Sequence, residues 1–396
     1  MKVAIIGGGL AGLTCAWYLK KNGIADVTVF ESSDSVGGKV KTDLISGYRC
    51  DRGFQVLLPA YPETKKVLNY EALNLQRFDK GSLIFRNGKK IPFYDPENGV
   101  SALIQTVLKG PGSLRDKVLL LKLKLQLSRT SVDTILNSSD TRTSLSFLKD
   151  FGFSSSMITD FWKPFYQGVF LENDLQTDNR MLRFTFKMFA ESGAAVPKNG
   201  MGAIPEQLAE FIGKKNIRLE TAVPAFDAHS VTTAVGETST FDVVVCAFNY
   251  EKSVLYHSVS NYYFEAEQLP LESKHVLLNA NAKRIVNNVV LMSYVAPNYS
   301  STNKQLISVS ANGTGWTNEQ ITNDLQLLFG AQVRDWKLVK YYEIYEALPN
   351  LNPIRSFSSQ QKAGVYYCGD YLTQGSINGA MQSGRITAEA ILNSKK

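Results

Sequence analysis

Val3-Ala4-Ile5-Ile6-Gly7-Gly8-Gly9-Leu10-Ala11-Gly12-Leu13 decides the fold of this chain. Four apolar residues stopped by glycines read as a short buried strand, and Leu10, Leu13, Ala16 and Trp17 then recur at helical spacing. Between strand and helix, Gly7 to Gly12 satisfies G-x-G-x-x-G, a weak signal alone. A second β run, Val27-Thr28-Val29-Phe30, sharpens it by ending in Glu31, nineteen residues after Gly12, where a βαβ dinucleotide site places a ribose-binding carboxylate.

Each residue type has a task there. Gly7 allows a tight turn, Gly9 lets backbone approach a pyrophosphate, and Gly12 lets helix and strand pack closely. The helix N-terminus is then free to face phosphates with its N–H groups. Glu31 would accept from ribose hydroxyls and repel a 2′-phosphate, which disfavours an NADP-type ligand.

Two further stretches belong to the same picture. Val36-Gly37-Gly38-Lys39-Val40-Lys41-Thr42 removes side chains a second time, six residues beyond Glu31. Near the other end, Val365-Tyr366-Tyr367-Cys368 reads as a strand, Gly369-Asp370 as a turn, and Ser376 onward as a helix through Ala380, Met381, Ile386 and Ala390. If this unit joins the N-terminal sheet, Asp370 can accept from polyol hydroxyls, and the last helix can aim its N-terminus at an anionic part of the same ligand.

GGGLAGL, VFESSDSVGGKVKT, DRGFQV, AVPKNGMGAIPEQLAEF, FDVVVCAF, ALPNLNP and YYCGDYLTQGSINGAMQSGRITAEAIL occur in an order that resembles the FAD-dependent flavin amine oxidase, protoporphyrinogen oxidase and carotenoid desaturase superfamily, over nearly the whole chain. The resemblance implies FAD as cofactor. It puts Gly7, Gly9, Leu10, Ala11 and Gly12 at the pyrophosphate, Glu31 and Ser32 at the adenosine ribose, and Gly37, Gly38 and Lys39 on the phosphate and flavin side. Val223 resembles the adenine-side valine on a returning strand. Gly53 and Phe54 fall in the flavin-facing loop, where Phe54 and Gln55 are the candidates nearest the reacting centre. Gly369 and Asp370 match the ribityl and phosphate pair, and Ser376, Ile377 and Ala380 put the last helix near the flavin pyrimidine. Two departures stand out: Lys39 replaces the usual Arg, a point charge in place of a bidentate fork. Ser376-Ile377-Asn378-Gly379 replaces the Tyr-Met-Glu-Gly stretch of amine oxidases, so no cage tyrosine stands at Ser376.

The 396 residues, 44% apolar and 20% charged, suit a globular chain of two domains. The expected fold is α/β, a Rossmann-like FAD-binding domain with a parallel central sheet plus a mixed α+β substrate domain with an antiparallel sheet. The first is expected from residues 1–95, 196–250 and 346–396, the second from 96–195 and 251–345. Basic and apolar residues interleave in Lys117-Val118-Leu119-Leu120-Leu121-Lys122-Leu123-Lys124-Leu125. This pattern reads first as a buried helix whose lysines reach water, with peripheral contact to a membrane surface as the other reading. The aromatics Phe161, Trp162, Phe165, Tyr166, Phe184, Phe186 and Phe189 are expected mostly in core packing, some lining an apolar pocket.

The four cysteines are widely spaced, no metal constellation is legible, and His229, His257 and His275 fall in no motif. The N-terminus lacks a signal-peptide pattern, which fits a cytoplasmic protein in a reducing compartment. The net charge of +7 alone does not argue for nucleic acid. The expected function is an FAD-dependent oxidoreductase that takes a hydride equivalent from an apolar, isoprenoid- or tetrapyrrole-like small molecule and passes electrons to oxygen, a quinone or another acceptor. An amine oxidase on the same scaffold is the alternative. A non-catalytic binding protein resembling the Rab GDP-dissociation inhibitors is the rival from another class.

Overall fold

The computed structural model describes residues 1–250, 252, 254–350, 352–354 and 358–394, so Leu351 of the ALPNLNP stretch lies outside the described residues. The strands that position the site are, in chain order, β1 (Lys2–Ile6), β2 (Asp26–Phe30), β3 (Gly81–Arg86), β4 (Lys89–Tyr94), β5 (Ile217–Arg218), β6 (Val243–Cys246), β7 (Tyr256–Ala266), β8 (Val276–Asn279), β9 (Val286–Leu291), β10 (Gln305–Asn312), β11 (Lys337–Pro349), β12 (Gln360–Lys362) and β13 (Val365–Tyr367). The helices are α1 (Leu10–Lys21), α2 (Val100–Lys109), α3 (Leu114–Ser128), α4 (Lys163–Phe170), α5 (Asn179–Ser192), α6 (Asn318–Phe329) and α7 (Ile377–Asn393).

Among the described residues, one six-stranded sheet runs β12-β13-β6-β1-β2-β5. It is parallel except where β12 turns back on β13. Val3, Ala4, Ile5, Val29, Val244 and Val245 are fully buried, as expected of central strands covered on both faces. The two ends of the chain meet on this sheet. α1 crosses α7 so closely that a Cβ on Gly384 would stand 2.2 Å from the Ala11 carbonyl oxygen, and the Cys368 N–H donates to the Cys246 carbonyl at 3.0 Å. A glycine at the crossing lets the C-terminal unit sit beside the N-terminal one.

The second sheet has seven strands in the order β11-β7-β10-β9-β8-β3-β4 and is antiparallel apart from β8 on β3. Its strands alternate: Tyr262, Phe264, Val289, Leu291, Ile307 and Val309 face one way and pack with Ile321 and Leu325 of α6. Asn261, Tyr263, Asn288, Val290, Ser308 and Ser310 are the intervening residues and face the other way. Residues 81–94 were expected in the first domain, yet β3 and β4 extend this second sheet, so the boundary at residue 95 falls too late. The pairing of Val276–Asn279 with Ser82–Phe85 crosses almost two hundred residues, and strand pairing at that separation leaves no local signal. Residues 100–192 are mostly helical.

A buried polar knot joins the two halves. Asp51 Oδ1 accepts from the Thr42 hydroxyl at 2.5 Å and the Met201 N–H at 2.9 Å, and its Oδ2 accepts from the Tyr299 hydroxyl at 2.8 Å. The Tyr263 hydroxyl donates to the Asp51 carbonyl at 3.0 Å. Burial pushes the Asp51 carboxyl up to about 6 in spite of these donors.

Candidate functional site

One cavity of about 450 Å³ lies between the two sheets. Its first half is walled by the turn after β1, the Gly37-Gly38-Lys39 crossing and the start of α7; its second half by α4, α5 and the second sheet. At the ~30 Å³ that a water takes up in the liquid, it has room for ~15 waters.

The first half is built from backbone. α1 begins with Gly9 at its N-cap and no side chain capping it, so the first-turn N–H groups are left for another partner. Gly9 and Gly37 form an isolated parallel bridge, and the Gly37 N–H donates to the Gly8 carbonyl at 2.8 Å. A Cβ on Gly38 would approach the Gly9 Cα to 3.1 Å, and Gly38 has φ +59°, so a side chain there would be both crowded and strained. Gly12 stands behind this surface rather than on it: a Cβ there would lie 2.1 Å from the Gly7 carbonyl oxygen. It serves the close packing of α1 on β1, while Gly7, Gly9, Leu10 and Ala11 line the cavity.

Glu31 is buried at the end of β2. Its Oε2 accepts from the Gly8 N–H at 2.8 Å, and Oε1 accepts from the Ser33 N–H and hydroxyl at 3.0 and 2.5 Å. A carboxylate has about four acceptor positions, so at least one remains for a ligand hydroxyl. Ser33, not Ser32, holds the carboxylate; Ser32 is exposed and does not line the cavity. Val223 also stands off the cavity. It lies in an irregular segment, not on the expected strand, and packs against the cluster of Phe30, Val231 and Phe241. The segment turns away after the Thr221 N–H bonds the Glu31 carbonyl, which ends its run beside β2.

Lys39 and Asp370 are joined from opposite ends of the chain by an ion pair of 3.0 Å, and the Lys39 ammonium sits 4.5 Å from the centre of the Tyr256 ring. Burial, with Asp370 and Glu346 nearby, pushes the Tyr256 phenol up, so it stays protonated. Gly369 uses φ +158° to place Asp370 at the cavity wall. Ser376 caps α7 by accepting from the Gly379 N–H at 2.9 Å, and Ser376, Ile377 and Ala380 line the cavity beside it. Gly53, Phe54 and Gln55 line it too. Gln55 donates to the Lys39 carbonyl at 2.9 Å, while its Oε1 is buried without a hydrogen-bond partner.

The second half is apolar, with a small polar zone. Phe165, Val169, Phe170, Phe189 and Leu278 line it, whereas Phe161, Trp162, Tyr166 and Phe184 are buried in the core. α4 follows directly on a π-helical turn at Ile158–Trp162, a distortion frequent at functional sites. The polar lining comes from Thr185, Asn287, Asn288, Ser310 and Asn312, and Glu346 stands near Tyr256. Sequence reasoning missed Tyr256, Glu346 and the asparagine pair. Only the pair left a trace, as two amides interrupting the apolar run Ile285-Val286-Asn287-Asn288-Val289-Val290-Leu291.

The four cysteines are buried and form no disulfide, and none lines the cavity. Neither does any histidine: His275 stacks on Tyr94 at 4.2 Å, and burial lowers both His257 and His275. Among the described residues no cluster of His, Cys, Asp and Glu could hold a metal ion, and no helix is long and apolar enough to cross a membrane.

α3 departs from the first reading of its sequence. Only Asp116, Leu123 and Leu127 are buried, and Leu114, Val118, Leu121 and Leu125 form an exposed stripe, 49 to 67% accessible. α2 likewise exposes Val100, Leu103, Ile104, Val107 and Leu108.

The family model for flavin-containing amine oxidoreductases matches residues 10–392. The chain is 35% identical over 111 residues to protoporphyrinogen oxidase 2, chloroplastic/mitochondrial, of Arabidopsis thaliana, covering 27% of this chain and 21% of that one. It is 34% identical over 119 residues to 15-cis-phytoene desaturase of Synechococcus elongatus, covering 26% and 24%. The matched stretches thus span about a quarter or less of these relatives. A solved structure of putrescine oxidase bound to putrescine superposes with a TM-score of 0.71 at 16% identity, covering 99% of both chains. That likeness concerns the fold.

Proposed function

The chain belongs to the flavin-containing amine oxidoreductase family, and from that premise we propose that it is an FAD-dependent oxidoreductase that removes a hydride equivalent from a largely apolar organic molecule. The observation that carries this reading is the continuity of the cavity, a backbone cradle at one end opening into an apolar chamber at the other. The cradle fits FAD. Uncapped N–H groups of α1 face it, a Cβ at Gly38 would close it, and Glu31 keeps an acceptor position for a ribose hydroxyl. Gly7, Gly9, Leu10, Ala11, Glu31, Gly37, Gly38, Lys39, Gly53, Phe54, Gly369, Asp370, Ser376, Ile377 and Ala380 would hold the cofactor, with Gly12 supporting them from behind.

Bound flavin supplies a two-electron acceptor for hydride. The chain's own contribution is orientation and dryness. Phe165, Val169, Phe189 and Leu278 exclude water from the chamber, and the N-terminus of α7 offers a positive potential at the cavity wall. The lining residues bind and orient the substrate. Gln55 Oε1 is an acceptor available to either ligand, and Phe54 and Gln55 are the residues proposed nearest the reacting atoms. Isoprenoid- and tetrapyrrole-like molecules match the apolar lining, and oxygen or a quinone would take the electrons.

An apolar substrate lives in lipid, and α2 and α3 fit that setting. Residues 100–131 carry six basic side chains and one acidic one, Asp116, which is buried. Exposed Lys109, Arg115, Lys122 and Arg129 accompany the apolar stripes, the pattern of helices lying on an anionic bilayer surface.

Two measurements test this function. The purified protein is expected to hold FAD, visible as flavin absorbance, and anaerobic titration with carotenoid or porphyrinogen substrates is expected to bleach it. A protein that refuses added FAD would end the oxidoreductase reading. Bleaching by amines alone would replace the apolar substrate with an amine.

A further inference from the structure

The polar zone of the chamber has a definite hydrogen-bonding sense. On β9 a bulge sets Asn287 and Asn288 next to each other opposite Ser310 on β10. Asn287 Nδ2 donates to the Pro164 carbonyl at 3.4 Å and to Asn288 Oδ1 at 3.2 Å. These bonds fix which way both amides point. A Cβ on Gly168 would stand 2.6 Å from Asn287 Nδ2, so the absent side chain is what lets α4 settle against the pair. The consequence falls on Asn288. Its oxygen is occupied, its nitrogen has no hydrogen-bond partner, and the residue is 4% exposed on the cavity wall. Ser310 beside it donates its hydroxyl hydrogen to Asn261 Oδ1 at 2.8 Å and makes no hydrogen bond with Asn288 Nδ2.

A buried amide with a free N–H₂ is an expensive group to leave unmatched, by more than a made hydrogen bond gains. The polar residues of this half of the lining, Thr185, Asn287, Ser310 and Asn312, are uncharged, and the lining carboxylate on the second sheet, Glu346, lies on β11, three strands from β9 and therefore at least ~14 Å away. An ammonium group would find no countercharge beside Asn288.

We infer that the substrate of this chamber is an uncharged apolar molecule carrying a carbonyl oxygen, which accepts from Asn288 Nδ2 and anchors the molecule at that end. This inference rests on the reading of the cavity as an apolar substrate chamber. Asn287, through its bond to Asn288 Oδ1, is a positioning residue: it holds the amide with its donor outward.

Geranylacetone and the hydrocarbon in which its C=O is CH₂ form a matched probe pair for calorimetric titration of the FAD-loaded protein. Asn288→Leu is expected to weaken geranylacetone about tenfold while leaving the hydrocarbon unchanged or tighter, because the variant no longer buries an idle donor. Asn288→Asp keeps the shape and the acceptor but not the donor, and decides the matter if the leucine variant does not retain flavin. Equal changes for both probes, or no change for the ketone, overturn the carbonyl anchor alone. If neither probe binds the wild-type protein, the apolar chamber itself is the part that fails.

Discussion

Gly9→Ala separates the glycine cradle's service to the ligand from its service to the fold. Gly9 has φ −76° and ψ 176°, ordinary extended backbone, so alanine is not strained there. Its Cβ would meet a single heavy atom within 4 Å, Gly38 Cα at 3.8 Å, and otherwise stand in the cavity. Stability of the protein without cofactor should change by less than about 0.5 kcal/mol. The methyl would hold a pyrophosphate away from the uncapped first turn of α1. Lengthening one or two charge-assisted hydrogen bonds there costs about 2 kcal/mol, a thirtyfold loss of FAD affinity. Gly12→Ala should behave in the opposite way. Its Cβ would fall 2.1 Å from the Gly7 carbonyl oxygen, 3.0 Å from Ala247 Cβ and 3.2 Å from Ile5 Cγ2, inside fully packed structure. α1 must lift by about 1 Å, destabilising the protein by roughly 3 kcal/mol with or without cofactor. Fluorescence titration of deflavinated protein with FAD and thermal unfolding of the same samples read the two effects. Wild-type FAD affinity in Gly9→Ala, or a wild-type melting temperature in Gly12→Ala, would refute the reasoning.

Asp51 should give the protein a pH-dependent stability. The folded chain keeps its proton up to about 6 while the unfolded chain releases it near 3.8, so this stabilisation is full below pH 4 and lost as pH rises through 6. About 3 kcal/mol is involved, and the difference in unfolding free energy between wild type and Asp51→Asn, followed by denaturant titration from pH 4 to 7, should shift by that amount. A difference constant with pH would rule it out. Val118→Asp with Leu121→Asp should abolish flotation with anionic liposomes and leave flavin content unchanged, since both side chains are exposed; undiminished flotation would remove α3 from the contact. Lys39→Met leaves Asp370 without its 3.0 Å partner, and FAD affinity should fall about tenfold. Titration at high salt checks the cause, because screening should narrow the gap between variant and wild type.

What was legible in the sequence is what lies close together along it. Strand, glycine turn, helix and Glu31 fall within thirty-one residues, and their chemistry follows from close backbone approach that the glycines allow, so the glycine cradle and Glu31 were legible locally, while Ser32 and Val223 were misplaced. The cap at Ser376 and the turn at Gly369-Asp370 were legible for the same reason. Tertiary structure alone decided the rest. The Lys39–Asp370 pair spans 331 residues, and β3 and β4 belong to the sheet of β8, a pairing set by packing after long loops close. The spacing of Leu114, Val118, Leu121 and Leu125 establishes that α3 has an apolar face, but periodicity is blind to what that face meets, and here it meets solvent. Asn288 shows the limit most clearly. Its position in an apolar strand is plain in the sequence, yet its idle donor exists only because Asn287, Pro164 and a bulge on β9 converge on it, and hydrogen-bond satisfaction is a property of three-dimensional neighbours.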